Sequence, residues 1–230
     1  MSKKSLVIGH RGACGYAPEN TLSSFKKAVD LSVDMVELDV HQCASGQLIV
    51  IHDDTVDRTT DGTGYVSQKT YEELSMLTVQ SGEKIPTLNQ VLDFIDKKVV
   101  VNIEIKDPHV VHLLGALITR YVEEKEWTYD CFLVSSFDIG LILQMKSGFP
   151  HIPRAPIFEC YSEDDAASIK ESECSSIIID YKCLTKKLLD FFHREKLHVF
   201  VYTVNNHHRA QKLKEWGVDG IISDFPDRIV

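Results

Sequence analysis

Short β-branched runs alternate with amphipathic stretches along the whole chain. This alternation constrains the fold more than any other feature, because it specifies repeated strand–helix units on a parallel sheet. Eight strands are read at Ser5 to Gly9, Met35 to His41, Val99 to Ile105, Cys131 to Ser135, Arg154 to Phe158, Ser176 to Asp180, His198 to Thr203 and Gly220 to Ser223. Seven helices are read between them, at Thr21 to Leu31, Thr87 to Ile95, Val110 to Glu124, Ile139 to Lys146, Glu163 to Glu171, Thr185 to Arg194 and Asn206 to Trp216. The short tail after Asp227 leaves room only for a truncated eighth. Asn20 or Thr21 can cap the first helix, and Gly217 can end the last.

This pattern fits an α/β fold of the TIM (β/α)8 barrel type. An open doubly wound sheet would carry a glycine-rich phosphate loop after its first strand, and no Gly-x-Gly-x-x-Gly occurs. No repeat, low-complexity tract or proline-rich linker marks a boundary, so residues 1–230 are expected to form a single domain. One irregularity follows strand two: the apolar run Leu48 to His52 leads into a turn-rich stretch before the next helix. This is read as a small insertion over roughly 53–86. In a barrel it would emerge at the carboxyl-end rim, where active sites lie, and could wall off a substrate.

Two of the strands carry charge where apolar residues are expected. In Val36-Glu37-Leu38-Asp39-Val40, residues two apart share a face, so Glu37 and Asp39 project together. In Val101-Asn102-Ile103-Glu104-Ile105-Lys106, so do Asn102, Glu104 and Lys106. A half-exposed antiparallel sheet would also alternate polar and apolar residues. Two such strands flanked by histidine and arginine in turn-like contexts favour a site instead. Crowded, poorly solvated carboxylates need a neutralising cation, and an all-oxygen set from Glu37, Asp39 and Glu104 suits one divalent ion, Ca²⁺ or Mg²⁺, with Mn²⁺ also admissible. Arg11 offers a planar donor fork and Lys106 a mobile point charge, so the same rim can hold a phosphate ester. His10 and His52 have the imidazole chemistry for proton transfer near neutrality, one as acid and the other as base. The other eight histidines are assigned no role.

A net charge of −9 argues against nucleic acid or an anionic membrane surface as the main partner. No apolar run approaches the length of a membrane span, so stable membrane insertion is not expected. Met1-Ser2-Lys3-Lys4 runs straight into the first strand with no room for a removable leader, and a cytoplasmic location is expected. The six cysteines lack Cys-x-x-Cys pairs and zinc-ligand spacing, and are read as free thiols, with Cys14 a small loop residue rather than a nucleophile.

His10-Arg11-Gly12, Pro18-Glu19-Asn20-Thr21, Glu37-Leu38-Asp39-Val40, His52-Asp53, the stretch Arg58 to Gly64, and Glu104-Ile105-Lys106 resemble the successive motifs of the glycerophosphodiester phosphodiesterase family. Val201 to Asn205 and Gly220 to Asp227 extend the likeness to nearly the whole chain. The resemblance implies a TIM-type barrel with an insertion after strand two, a divalent cation, and hydrolysis of a small-molecule glycerophosphodiester to an alcohol and glycerol 3-phosphate. By motif it implies Glu37, Asp39 and Glu104 as metal ligands, His10 and His52 as the acid/base pair, and Arg11 and Lys106 as phosphate contacts. One departure is Tyr202, where many relatives carry tryptophan; it could line the substrate pocket or simply pack. A phospholipase D-type activity on lysophospholipids or sphingomyelin is a rival reading, disfavoured by the polar insertion (Thr59, Thr60, Asp61, Ser67, Gln68, Glu72, Glu73). A non-catalytic ligand-binding barrel is another, disfavoured by the complete set of acid, base and ligand residues.

Overall fold

The computed structural model describes residues 4–79 and 82–229. Eight parallel strands close into a ring: β1 (Leu6–Gly9), β2 (Met35–Gln42), β4 (Val100–Ile105), β5 (Phe132–Ser136), β6 (Arg154–Phe158), β7 (Ser176–Asp180), β8 (His198–Tyr202) and β9 (Gly220–Ser223). β1 pairs with both β2 and β9, which closes the barrel. The helices around it are α1 (Leu22–Asp30), α3 (Leu88–Ile95), α4 (Pro108–Glu124), α5 (Ile139–Gly148), α6 (Asp165–Ser172), α7 (Lys186–Arg194) and α8 (His207–Trp216). After β9 the described residues continue into a 3-10 turn, Pro226–Ile229.

The apolar run after strand two is an extra strand, β3 (Leu48–Val50), which folds back antiparallel on the end of β2 and lies outside the ring. Strand two therefore runs further than the barrel needs. It pairs with β4 from Met35 to Val40, then with β3 from Val40 to Gln42, so Glu37 and Asp39 sit mid-strand rather than at its end. The segment after β3 contributes the short helix α2 (Tyr71–Met76), closed at its start by a Thr70–Glu73 capping box. Ile49, Ile51, Val56, Val66, Leu74 and Ile85 give this region a small core of its own.

Helix starts follow local chemistry. Thr21, not Asn20, caps α1 by accepting from the Ser24 N–H, which leaves Asn20 free for another task. α4 begins at Pro108, earlier than the periodicity suggests, because the Asp107 side chain accepts from the His109 N–H at 2.8 Å and proline suits the first helical turn.

The alternation within strands separates two cores. Val36, Leu38, Val40, Ile103 and Ile105 face outward against the helices. Ile8, Met35, Leu133, Ile157, Ile178, Phe200 and Ile222 fill the barrel interior. One layer up, register places Glu37 beside Asn102 and Asp39 beside Glu104. Glu37 is 4% exposed, Asp39 1% and Asn102 1%, so the solvated-sheet reading of these strands fails.

The reading of all six cysteines as free thiols is also corrected. Cys160 and Cys183 form a disulfide with Cα atoms 5.2 Å apart. They are 23 residues apart in sequence, but they follow neighbouring parallel strands, β6 and β7, and meet at one rim. Cys14, Cys43, Cys131 and Cys174 are free. Among the described residues no helix is long and apolar enough to cross a membrane.

Candidate active site

The turn after β1 builds one side of the site. Arg11 (φ 48°) and Gly12 (φ 84°) both take left-handed conformations. A Cβ at Gly12 would meet the Ser24 side chain and backbone at 2.4 and 2.6 Å, so the turn can press this close to α1 only with glycine there. The tight turn aims the Arg11 backbone N–H at Glu37 Oε2, 2.9 Å away. The Arg11 side chain donates to Glu19 at 2.8 Å and brings Nε to 3.5 Å from Asp39 Oδ2.

Glu37, Asp39 and Glu104 each offer an oxygen within 4.8 Å of the others. Asn20 donates to Asp39 at 2.9 Å, and the Lys106 ammonium lies 3.0 Å from Asp39 and 3.1 Å from Glu104. Lys106 is thus engaged with carboxylates, whereas the sequence suggested a phosphate contact. Burial, then the charge of Asp39, pushes Glu37 up to about 8. Burial and Asp39 also raise Glu104, against the pull of Lys106. Burial works to raise Asp39 too, but Lys106 and Arg11 outweigh it and its carboxyl is lowered. Two buried atoms here, Glu37 Oε1 and Arg11 Nε, have no hydrogen-bond partner. Such atoms are rare, and this pair asks for a cation and an anion at one place. The donor set fits a hard divalent ion such as Ca²⁺ or Mg²⁺.

Two imidazoles flank the carboxylates, each held by its own acid. His10 Nδ1 is 2.6 Å from Asp224 Oδ1, and its Nε2 is 4.0 Å from Glu37 Oε2. His52 Nδ1 is 2.6 Å from Asp53 Oδ1. Arg58 grips Asp53 at 2.6 and 2.9 Å and Glu19 at 2.7 and 2.8 Å, tying the insertion to the turn after β1. Asp224 is lowered far below the usual carboxylate range, burial notwithstanding, by the hydrogen bonds it accepts from His10 and Cys14. Asp53 is lowered likewise, chiefly by Arg58. An ionised carboxylate can only accept, so Nδ1 carries the proton on both rings and Nε2 is the nitrogen left for chemistry. Burial pulls His10 down, but Asp224 and Glu37 prevail and raise it; burial lowers His52 despite Asp39 and Asp53.

A cleft of about 170 Å³ opens over this group, its lining combining polar His10, Arg11, Glu37, His52 and Glu104 with Phe137, Ile157, Ile178 and Tyr202. Tyr202 therefore faces the cleft, and its hydroxyl donates to the Phe158 carbonyl at 3.2 Å. Asp39 and Lys106 do not line the cleft but touch residues that do, Asp39 at 3.5 Å from Arg11 and Lys106 at 3.1 Å from Glu104. All the residues singled out from the sequence thus converge. Asp224, Asp53, Glu19 and Arg58 were given no role there and Asn20 only a helix-capping one, although each lies in a quoted motif. Asp224 is 214 residues from His10, and its one signal is that it directly follows the last barrel strand.

Residues 10–228 match the model of the glycerophosphoryl diester phosphodiesterase family. A Bacillus subtilis protein, YhdW, named as a candidate glycerophosphodiester phosphodiesterase, is 37% identical over 97% of this chain and 96% of its own. A glycerophosphodiester phosphodiesterase of Caldanaerobacter subterraneus is 34% identical over 99% of this chain and 97% of its own. Among solved structures, an Oleispira antarctica phosphodiesterase in complex with the product sn-glycerol-3-phosphate superposes with a TM-score of 0.90. It is 28% identical, over 97% of this chain and 94% of that one.

Proposed function

The chain belongs to the glycerophosphoryl diester phosphodiesterase family and is a phosphoric diester hydrolase, and from that premise we propose the substrate, cation and proton-transfer groups of its reaction. The substrate is a small glycerophosphodiester, such as glycerophosphocholine or glycerophosphoethanolamine, cleaved to an alcohol and glycerol 3-phosphate. Residues 1–230 act as one catalytic domain, with the insertion over roughly 53–86 bracing His52 and Glu19 rather than walling the cleft, which none of its described residues line. The observation that carries this reading is the carboxylate trio, Glu37 and Asp39 buried and Glu104 partly exposed, with Glu37 Oε1 unpaired and a carboxylate-tethered imidazole on either side.

Glu37, Asp39 and Glu104 would hold one divalent cation, Ca²⁺ or Mg²⁺ by donor type, which when bound supplies positive charge against the phosphate oxygens. Arg11, which lines the cleft, offers its guanidinium charge to the same anion. Lys106 lends positive charge from behind the trio, and stays charged because Asp39 and Glu104 outweigh the desolvation that would lower it. One histidine accepts the proton of the nucleophile, either water or the neighbouring glycerol hydroxyl, and the other protonates the departing oxygen. Asp224 and Asp53 hold the two rings in orientation and tautomer.

The test is release of glycerol 3-phosphate from glycerophosphocholine. Chelation should abolish it and Mg²⁺ or Ca²⁺ should restore it; full turnover in stripped protein removes the cation from the scheme. His10→Ala and His52→Ala should each lower kcat by about 10²–10⁴ with the fold intact by circular dichroism. Near-normal turnover in both would end the acid/base assignment.

A further inference from the structure

His10 presents Nε2 to the cleft, while Nδ1 faces a second group of donors on the far side of the ring. Cys14 Sγ lies 3.0 Å from Asp224 Oδ1 and 3.9 Å from His10 Nδ1, and Asp224 Oδ1 is 2.6 Å from that nitrogen. One ligand atom from each residue falls within 4.8 Å of the other two. The arrangement is built rather than incidental. The Gly15 N–H donates to the Asp224 carbonyl at 2.9 Å, which fixes the Cys14 loop against the end of β9. Asn205 holds Asp224 Oδ2 at 2.6 Å, leaving Oδ1 aimed at sulfur and nitrogen. All three residues are partly exposed, so an ion can reach them.

A thiol, an imidazole and a carboxylate make a donor set unlike the all-oxygen trio on the cleft side. Sulfur with nitrogen selects borderline-soft ions, and three protein ligands plus water complete a tetrahedral zinc sphere. We infer that His10 Nδ1, Cys14 Sγ and Asp224 Oδ1 form a second cation site, selective for Zn²⁺ over the hard catalytic ion, whose occupation shuts the enzyme down by capturing His10. Binding forms Zn–N, Zn–S and Zn–O bonds, releases the Cys14 thiol proton to solvent, and requires the His10 ring proton to leave Nδ1, so that the neutral ring carries its one proton on Nε2. Burial and the neighbouring Asp224 keep that thiol protonated while the site is empty. The imidazole to carboxylate hydrogen bond is exchanged for metal bonds, with Asp224 moving outward by a fraction of an ångström.

The inhibitory consequence rests on the proton-transfer role proposed for His10. A ring coordinated through Nδ1 keeps its one remaining proton on Nε2. There it has no lone pair to accept a proton from a nucleophile and lacks the imidazolium charge that would make it a good donor.

Two measurements on the whole chain in excess Mg²⁺ test this. Zn²⁺ should inhibit the wild type. Removing a supporting partner of a metal ligand already weakens affinity by about 10–100-fold, and Cys14 is itself a ligand, so Cys14→Ser should raise the half-inhibiting Zn²⁺ concentration at least about tenfold, each protein being read against its own turnover without Zn²⁺. Independently of activity, Co²⁺ should give a sulfur-to-cobalt charge-transfer absorption in the wild type that is lost in both Cys14→Ser and Cys14→Ala. A wild type without that absorption, or absorption undiminished in both variants, overturns the site. A Cys14-dependent absorption with undiminished turnover overturns the inhibition, and with it the role given to His10, so the two failures are separable.

Discussion

Glu37 concentrates the tension in the site, because its carboxyl is buried beside Asp39 and one of its oxygens has no partner. Burial and the Asp39 charge lift it from 4.5 to about 8 in the metal-free protein. A carboxyl raised in the folded state contributes stability that is full below the unfolded value and is lost as pH rises through the folded one. Glu104 is shifted in the same direction and adds the same sign. The thermal midpoint of chelator-treated protein should therefore fall between about pH 5 and about pH 8. Glu37→Gln should remove most of that fall, as should saturating Mg²⁺ by giving the ionised carboxylates a counter-charge. A flat profile in the stripped wild type would mean the trio is better solvated than its burial indicates. That Glu37, Asp39 and Glu104 share a face was legible in the sequence, because a strand alternates with period two. The acids behind His10 and His52 were harder to assign, since Asp224 reaches His10 only through closure of the barrel.

At the scale of elements, the added strand β3 and helix α2 expand an ordinary strand-to-helix connection into a small subdomain whose described residues line none of the cleft itself but brace its rim, through Asp53 on His52 and Arg58 on Glu19. Leu74, 1% exposed, packs in the small core that this region shares with Ile49 and Ile51. Leu74→Ala should cost about 2–5 kcal/mol. Because that core is separate from the barrel's, limited proteolysis should cut within 53–86 before the barrel unfolds; simultaneous loss of both would show that the two melt as one unit. The insertion was visible as a break in rhythm, but α2 was not, because six residues leave too short a periodic pattern to read. The disulfide was equally hidden, since its two cysteines become neighbours only through the pairing of β6 with β7. Closing a loop of this length stabilises by about 3 kcal/mol. Unfolding free energies from urea titration of Cys183→Ser and of reduced wild type should drop together by that amount, and equal values with and without reductant would show that the bridge does not form in solution.

For the whole molecule, the barrel interior is a stack in which apolar residues support the charged layer above them. Phe200 is the largest side chain in the lower layer, and Gly220 makes room for it: a Cβ there would lie 2.8 Å from its ring. The β/α rhythm made the closed ring legible, yet no local pattern says which interior residue fills the barrel axis, since outward and inward apolar positions look alike in sequence. Phe200→Ala should destabilise the protein by about 3–5 kcal/mol, because rigid strands on all sides limit collapse around the hole. Met76→Ala, at a side chain 77% exposed on the insertion, should stay within about 0.5 kcal/mol. Denaturant midpoints compare the two directly. Tyr202 lies two residues beyond Phe200 on the same face of β8, so the cavity should also loosen the cleft wall, and kcat/KM for Phe200→Ala should fall with stability. Large destabilisation with unchanged turnover would show instead that the upper polar layer is held by its own hydrogen bonds and ion pairs, independently of the packing beneath it.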